Sequence, residues 1–206
     1  MDKLVLTELQ KDALKEMGNI CSGNAATALS QLFDRKITIE VPRIFFLPIE
    51  EVANVVGGAD KLVVGLILRV LGDIPSTILF IFSQKDARSL ASFMTGKQIS
   101  NGSIIGDLEG SALKEIGVIL ANAYLGALGN FVGISMVPTV PELIIDMAGA
   151  MVDYLLIELS CKSEYALLIE SEFKEMNSYV LGHFFLIPNA SGMEAILKTV
   201  DKKIAE

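Results

Sequence analysis

Across 206 residues the chain has no tryptophan, one histidine and two cysteines. Each scarcity closes off a class of chemistry. With His183 alone and Cys21 far from Cys161, no zinc-ligand spacing can be written, and no metal site is expected in this chain. No Ser-His-Asp arrangement can be located, and no glycine loop of the phosphate-cradling kind occurs. His183 stands among apolar residues and reads as a strand or core imidazole. Cys21 falls on the core side of a helix, so reduced thiols and a cytoplasmic setting fit better than a disulfide. Basic residues are in deficit: 17 Lys and Arg against 25 Asp and Glu leave a net charge of −8. Without a basic stripe, nucleic-acid binding is disfavoured, because phosphate neutralisation supplies most of that affinity. An acidic chain can instead meet a partner with a positive patch. Long apolar runs are missing too. Arg69 interrupts LVVGLILRVL and Asp146 interrupts ELIIDMAGAM, so no run reaches the ~20 residues that span a bilayer. The opening MDKLVLTELQKD is charged and has no signal-peptide core. The expectation is a cytoplasmic protein without membrane insertion.

What the chain does have is apolar bulk. The apolar set is 51%, with 17 glycines besides, above the usual ~45–50%. Length allows one sizeable core and is short for two independent domains, so residues 1–206 read as a single domain. The excess implies strands buried on both faces, or a partner surface.

Thr7 with Gln10 three residues on forms a capping box for a helix over about 8–33. Its predicted core face carries Leu14, Met17, Cys21, Ala25, Ala28 and Leu32. ITIEVP alternates and predicts a strand over 37–42 ending at Pro42, with IFFL as a candidate continuation. Pro48 opens a short helix stopped by Gly57-Gly58. Strands follow over 62–71 and 76–82 around the turn Gly72-Asp73-Ile74-Pro75. A helix over 86–95 ends at Gly96. The polar stretch 97–106 is the best internal boundary.

The beginning then recurs. ALKEMG at 13–18 matches ALKEIG at 112–117, an offset of 99, and the register holds ungapped to Pro42 and Pro141. Elements repeat in type: a strand near 142–146, a helix near 147–156, strands near 164–173 and 178–187, and a helix near 191–204. The expected fold is α+β, a layered sandwich built by internal duplication. Two helix–strand–helix–strand–strand repeats, about 7–100 and 107–206, share one sheet about a pseudo-twofold axis. Two long parallel-placed helices carry the candidate sites.

On the first helix Asp12, Glu16 and Asn19 fall at i, i+4 and i+7, one polar stripe continued by Gly23. On the second, Ser111 and Glu115 match Asp12 and Glu16, but Val118 stands where Asn19 stands. Asn122 lies ~10 Å beyond Glu115 along the axis and cannot substitute. An acid and an amide one turn apart are neither nucleophile nor good base; they can position a water or a partner's charged side chain.

Asp12-x-x-x-Glu16-x-x-Asn19, followed by twenty-two residues and Pro42, resembles the signature of the CheC/CheX/FliY family of chemotaxis phosphatases, and the duplication resembles its CheC branch. The resemblance implies a fold similar to the middle domain of FliM. It implies removal of the phosphoryl group from the aspartyl phosphate of the response regulator CheY. Asn19 would orient the attacking water and Glu16 would pair with the regulator's lysine, with Asp12 in support. Ser111 and Glu115 would mark a degenerate second site, because a valine at 118 cannot hold a water. No cofactor is expected in this chain; Mg2+ would be carried by the regulator. CheD is a further implied partner, with Asp146 and the stretch 142–154 as the candidate contact. The alternative is a non-catalytic adaptor or flagellar-switch-like scaffold.

Overall fold

The computed structural model describes residues 7–96, 105–158, 165–175 and 178–205. Helix α1 (Glu8–Phe33) begins where Thr7 caps it. Thr7 Oγ1 accepts from the Gln10 amide at 3.2 Å, and Gln10 Oε1 accepts from the Thr7 amide at 2.9 Å. That reciprocal pair satisfies two backbone donors which the first turn leaves open. The helix stops at Asp34, in the left-handed conformation at φ 50°. Along it Leu14, Met17, Cys21, Ala25 and Leu29 are buried, whereas Ala28 is half-buried and Leu32 is 42% exposed. The predicted core face is corrected at those two positions. The buried line Met17, Cys21, Ala25, Leu29 follows the i+4 ridge, which winds around a 3.6-residue helix and leaves Leu32 behind.

Strand β1 (Thr38–Pro48) runs through Pro42 rather than ending there. It is an edge strand, and its ladder with β6 (Tyr165–Glu175) shifts register between Glu40 and Arg43. A proline inside such an irregularity removes no needed ladder donor. A turn of 3-10 helix at Ile49–Glu51 leads into the short α2 (Val52–Val55). Then come β2 (Leu62–Gly72), β3 (Ser76–Ser83) and α3 (Gln84–Thr95), which ends on Gly96 at φ 66°. Of the boundary stretch 97–106, residues 97–104 lie outside the described ones. The second half gives α4 (Asp107–Val132), β4 (Met136–Pro138), β5 (Glu142–Met147), α5 (Ala148–Glu158), β6, β7 (Ser178–Pro188) and α6 (Ala190–Ala205). The three-residue β4 was not expected. With β5 it is a broken counterpart of β1, interrupted just before Pro141.

The sheet runs β1-β6-β7-β3-β2-β4, with β5 also on β2, and every pairing is antiparallel. The halves are interleaved. The first strand of each repeat bonds to the second strand of the other, β1 to β6 and β5 to β2, while β3 and β7 pair at the centre. Alternate residues therefore bury on opposite faces. Val64, Leu66, Leu68, Phe80, Phe82, Phe184 and Leu186 meet the long helices. Val63, Ile67, Leu79, Ile81, Phe185 and Ile187 meet the layer of α2 and α5. The sheet is thus buried on both faces, which accounts for the apolar excess.

Two glycines at the same place in each repeat set the close approach of helix to sheet. A Cβ added at Gly18 would lie 3.3 Å from Val41 Cγ1, and one at Gly117 would lie 2.8 Å from Leu66 Cδ1 and 3.6 Å from Pro141 Cγ. Helix α4 is, among the described residues, the one helix long and apolar enough to cross a membrane. Its apolar stretch is 61% buried inside the fold, as befits a core helix.

Candidate functional site

The long helix α1 is anchored from below, which leaves its outer stripe free. Leu14 and Met17 sit at or near zero exposure and bracket the turn that carries Glu16. Cys21 Sγ donates to the carbonyl of Tyr124 on α4 at 3.6 Å, and Gly18 lies on β1. Burial without a countercharge pushes the Cys21 thiol up to about 12, so it stays protonated and inert. Asp12, Glu16 and Asn19 are all exposed on the opposite side. Among the described residues their side chains make no hydrogen bond or ion pair. At i, i+3 spacing Glu16 and Asn19 stand about 5–6 Å apart at their Cβ atoms. The surface beside them is low: Gly23 is exposed, and a Cβ there would meet nothing within 4 Å. Ile20, on the same face, is 50% exposed. Pattern reading passed it over, because an isolated isoleucine in a helix reads as core.

The second stripe differs in more than one residue. Ser111 and Glu115 on α4 are exposed, but the Ser111 hydroxyl donates to the Asp107 carbonyl at 2.8 Å. Val118 is half-buried where Asn19 is exposed. The Asn122 carboxamide folds back to donate to the Val118 carbonyl at 2.9 Å. No acid–amide pair comparable to Glu16 and Asn19 is assembled there.

Asp146 lies on β5, opposite Val63, and not on a helix. Its Oδ1 accepts from the Met147 amide at 2.7 Å, at the junction with α5. The candidate contact stretch 142–154 comprises β5 and the first part of α5, the strand and helix expected there. Leu62 and Met147, paired across the ladder, are 46% and 51% exposed beside it.

On the far face of the sheet, Arg43 Nε donates to Glu170, whose side chain is only 9% exposed. His183 on β7 lies directly across from Glu170 and is buried, as its apolar flanks indicated. Burial lowers its pKa below 6.5, against the opposing pull of Glu170. This group is on the layer away from α1. Among the described residues no cluster of three His, Cys, Asp or Glu side chains gathers as a metal would need.

A duplicated, interleaved sheet with paired long helices on one face defines the fold shared by the FliY and CheX chemotaxis proteins. Thermotoga maritima FliY superposes with a TM-score of 0.74 at 19% identity, over 97% of this chain and 100% of that one. CheX in the CheX–CheY–BeF3–Mg2+ complex from Borrelia burgdorferi superposes with a TM-score of 0.52 at 16% identity, over 82% of this chain and 95% of that one. The CheC-like family profile matches residues 9–45, the segment that runs from α1 into β1. The CheY-P phosphatase CheC of Bacillus subtilis is 34% identical over 93% of each chain. The chain belongs to the CheC-like family.

Proposed function

We propose that this protein hydrolyses the aspartyl phosphate of a CheY-type response regulator, with Glu16 and Asn19 as its working pair. The observation that carries this reading is their state: exposed, with side chains that make no hydrogen bond or ion pair among the described residues, on a helix whose other side is buried. The relationship to a CheY-P phosphatase, at 34% identity over nearly the whole chain, supports the substrate class.

An acyl phosphate needs little covalent assistance. In-line placement of a water and stabilisation of the developing charge suffice. The Asn19 carboxamide offers a donor to the phosphoryl group and an acceptor to the water, and brings no charge that repels the phosphate. Glu16 docks by pairing with a lysine of the regulator's phosphorylation pocket. That lysine then stays neutralised and fixed while the water attacks. Asp12, one turn back, supports the approach. Mg2+ belongs to the regulator in this scheme. The α4 stripe contributes no second site, because Val118 supplies no polar group.

The test is loss of phosphate from CheY with Asn19→Ala. Acceleration is expected to fall by about 10²–10³-fold, the usual consequence of removing one polar group that acts in the transition state. Binding of the regulator is expected to survive. Unchanged acceleration would reject the assignment.

A second reading is favoured by the exposed apolar group Leu62, Ile145 and Met147 flanking Asp146. There the protein serves as an adaptor, with CheD as the partner. Asp146→Lys is then expected to abolish CheD binding and leave dephosphorylation intact.

A further inference from the structure

Interface area limits how far the pair can act alone. A specific protein–protein contact covers about 800 Å² on each partner, a disc roughly 32 Å across. Two side chains on one turn supply a small part of that, so a regulator centred on Asn19 must rest on more of α1 or its surroundings. Towards the helix start the surface carries long charged side chains, including the Lys11–Glu8 ion pair, around an exposed Leu9. Towards the helix end it opens. Ile20 stands exposed, Gly23 leaves a gap, and an open depression of about 600 Å³ begins at Ala26 and Thr27. It runs on past Ser30 and Gln31 to Asp34, Arg35, Lys36 and Ile37.

This hollow is on the working stripe. At 100° per residue Glu16, Asn19, Gly23, Thr27 and Ser30 lie within one sector, and Thr27 and Gln31 are only about 12 and 18 Å beyond Asn19 along the axis. Its hydroxyls are turned inward. Thr27 Oγ1 donates to the Gly23 carbonyl, and Ser30 Oγ is held between the amide and carbonyl of Ile37. The near part of the floor is therefore methyl and methylene, and the far rim carries Gln31, the Asp34 carboxylate and two cations, Arg35 and the exposed Lys36.

We propose that this depression is the second contact of the docked response regulator, and adds affinity to the docking by Glu16 while Asn19 sets rate. The inference rests on the phosphatase reading. The segment it takes is an apolar side chain of the regulator followed by a carboxylate that reaches Lys36. Counterparts on α4 differ: Gly126 replaces Thr27, Gly129 replaces Ser30 and Ser135 replaces Lys36 at the same offset of 99. The second long helix thus lacks both the amide and the basic rim.

The experiment compares Thr27→Trp, which fills the hollow, and Gly23→Leu, which raises a side chain into open space, with wild type. Gly23→Leu replaces a poor helix former by a good one, so its melting temperature should rise, which separates lost docking from lost folding. Binding is read by titrating beryllofluoride-activated Bacillus subtilis CheY, and turnover by phosphate release from phosphorylated CheY. The dissociation constant should rise about tenfold or more in both variants, while kcat at saturation stays within about threefold. Asn130→Trp, at the α4 counterpart of Gln31, should change neither. Affinities within about twofold of wild type for both variants would overturn the proposal. If wild type binds activated CheY without accelerating hydrolysis, the phosphatase reading falls and the binding comparison still decides the surface. If wild type does not bind, both fall.

Discussion

At the scale of single residues, the proposed function and the stability fall on different side chains. Among the described residues the side chains of Glu16 and Asn19 make no hydrogen bond or ion pair, so their replacement should leave melting unchanged within about 0.5 kcal/mol. His183 is the reverse case. Its pKa is lowered mainly by burial, with Arg43 adding to the effect and Glu170 opposing it. In the unfolded chain the imidazole gains a proton near its ordinary 6.5, whereas the folded chain resists until lower pH. The stability from this residue is therefore complete above 6.5. It is lost as pH falls from there through the lower folded value. Melting temperatures of wild type and His183→Gln between about pH 5 and 7.5 should show a wild-type decline on acidification that the variant lacks. A parallel decline in both would assign the slope to other groups. Asp34 is a third kind of residue. It holds φ 50°, and its counterpart Gly133 takes φ 76° without strain from a side chain. Its carboxylate also sits at the negative end of the α1 dipole. Asp34→Gly should stabilise the fold by about 1 kcal/mol in urea melts, and a loss of stability would contradict that.

At the scale of elements, the two long helices tell how much of the site was legible. Their extent, the Thr7–Gln10 cap and the exposed face of α1 followed from periodicity and from two turns of polar residues. The acid–amide pair was singled out because its spacing to Pro42 resembles the family signature, within a segment that recurs without its amide. What pattern could not show was the winding of the buried line. Leu32 fell off it and Leu29 onto it, because the contact follows the i+4 ridge rather than a fixed face. Pro42 misled for a different reason. Its effect depends on whether the strand is at an edge, and strand order is a tertiary property. Ile20 was missed because exposure of one apolar side chain has no signature in sequence. The helices also yield a gain-of-function test. Val118→Asn restores on α4 the amide present on α1, beside an exposed Glu115. If Val118 is what disables that stripe, phosphate release per chain should rise up to about twofold in the variant, and should persist in Asn19→Ala/Val118→Asn. No activity in the double variant would show that the differences around Ser111 and Asn122 also matter.

At the scale of the whole molecule, duplication and interleaving bind the halves together. Each repeat lends its first strand to the other, so neither half contains a complete edge for its own sheet. The central β3–β7 ladder joins them with seven residue pairs, from Ser76–Pro188 to Phe82–Gly182. Residues 1–96 and 105–206 expressed apart should each lack a cooperative melting transition as monomers, and should recover one on mixing. A half that melts cooperatively by itself would contradict the interleaved description. This arrangement also gives the proposed working stripe a packed base. The buried side of α1 packs on α4 and on β1, so Glu16 and Asn19 are presented by both repeats together.

The most direct test of the account is single-turnover loss of phosphate from phosphorylated CheY at saturating protein, wild type against Asn19→Ala. The account predicts a rate that falls by about 10²–10³-fold towards that of the regulator alone, with the complex still formed. A variant that releases phosphate as fast as wild type would contradict it.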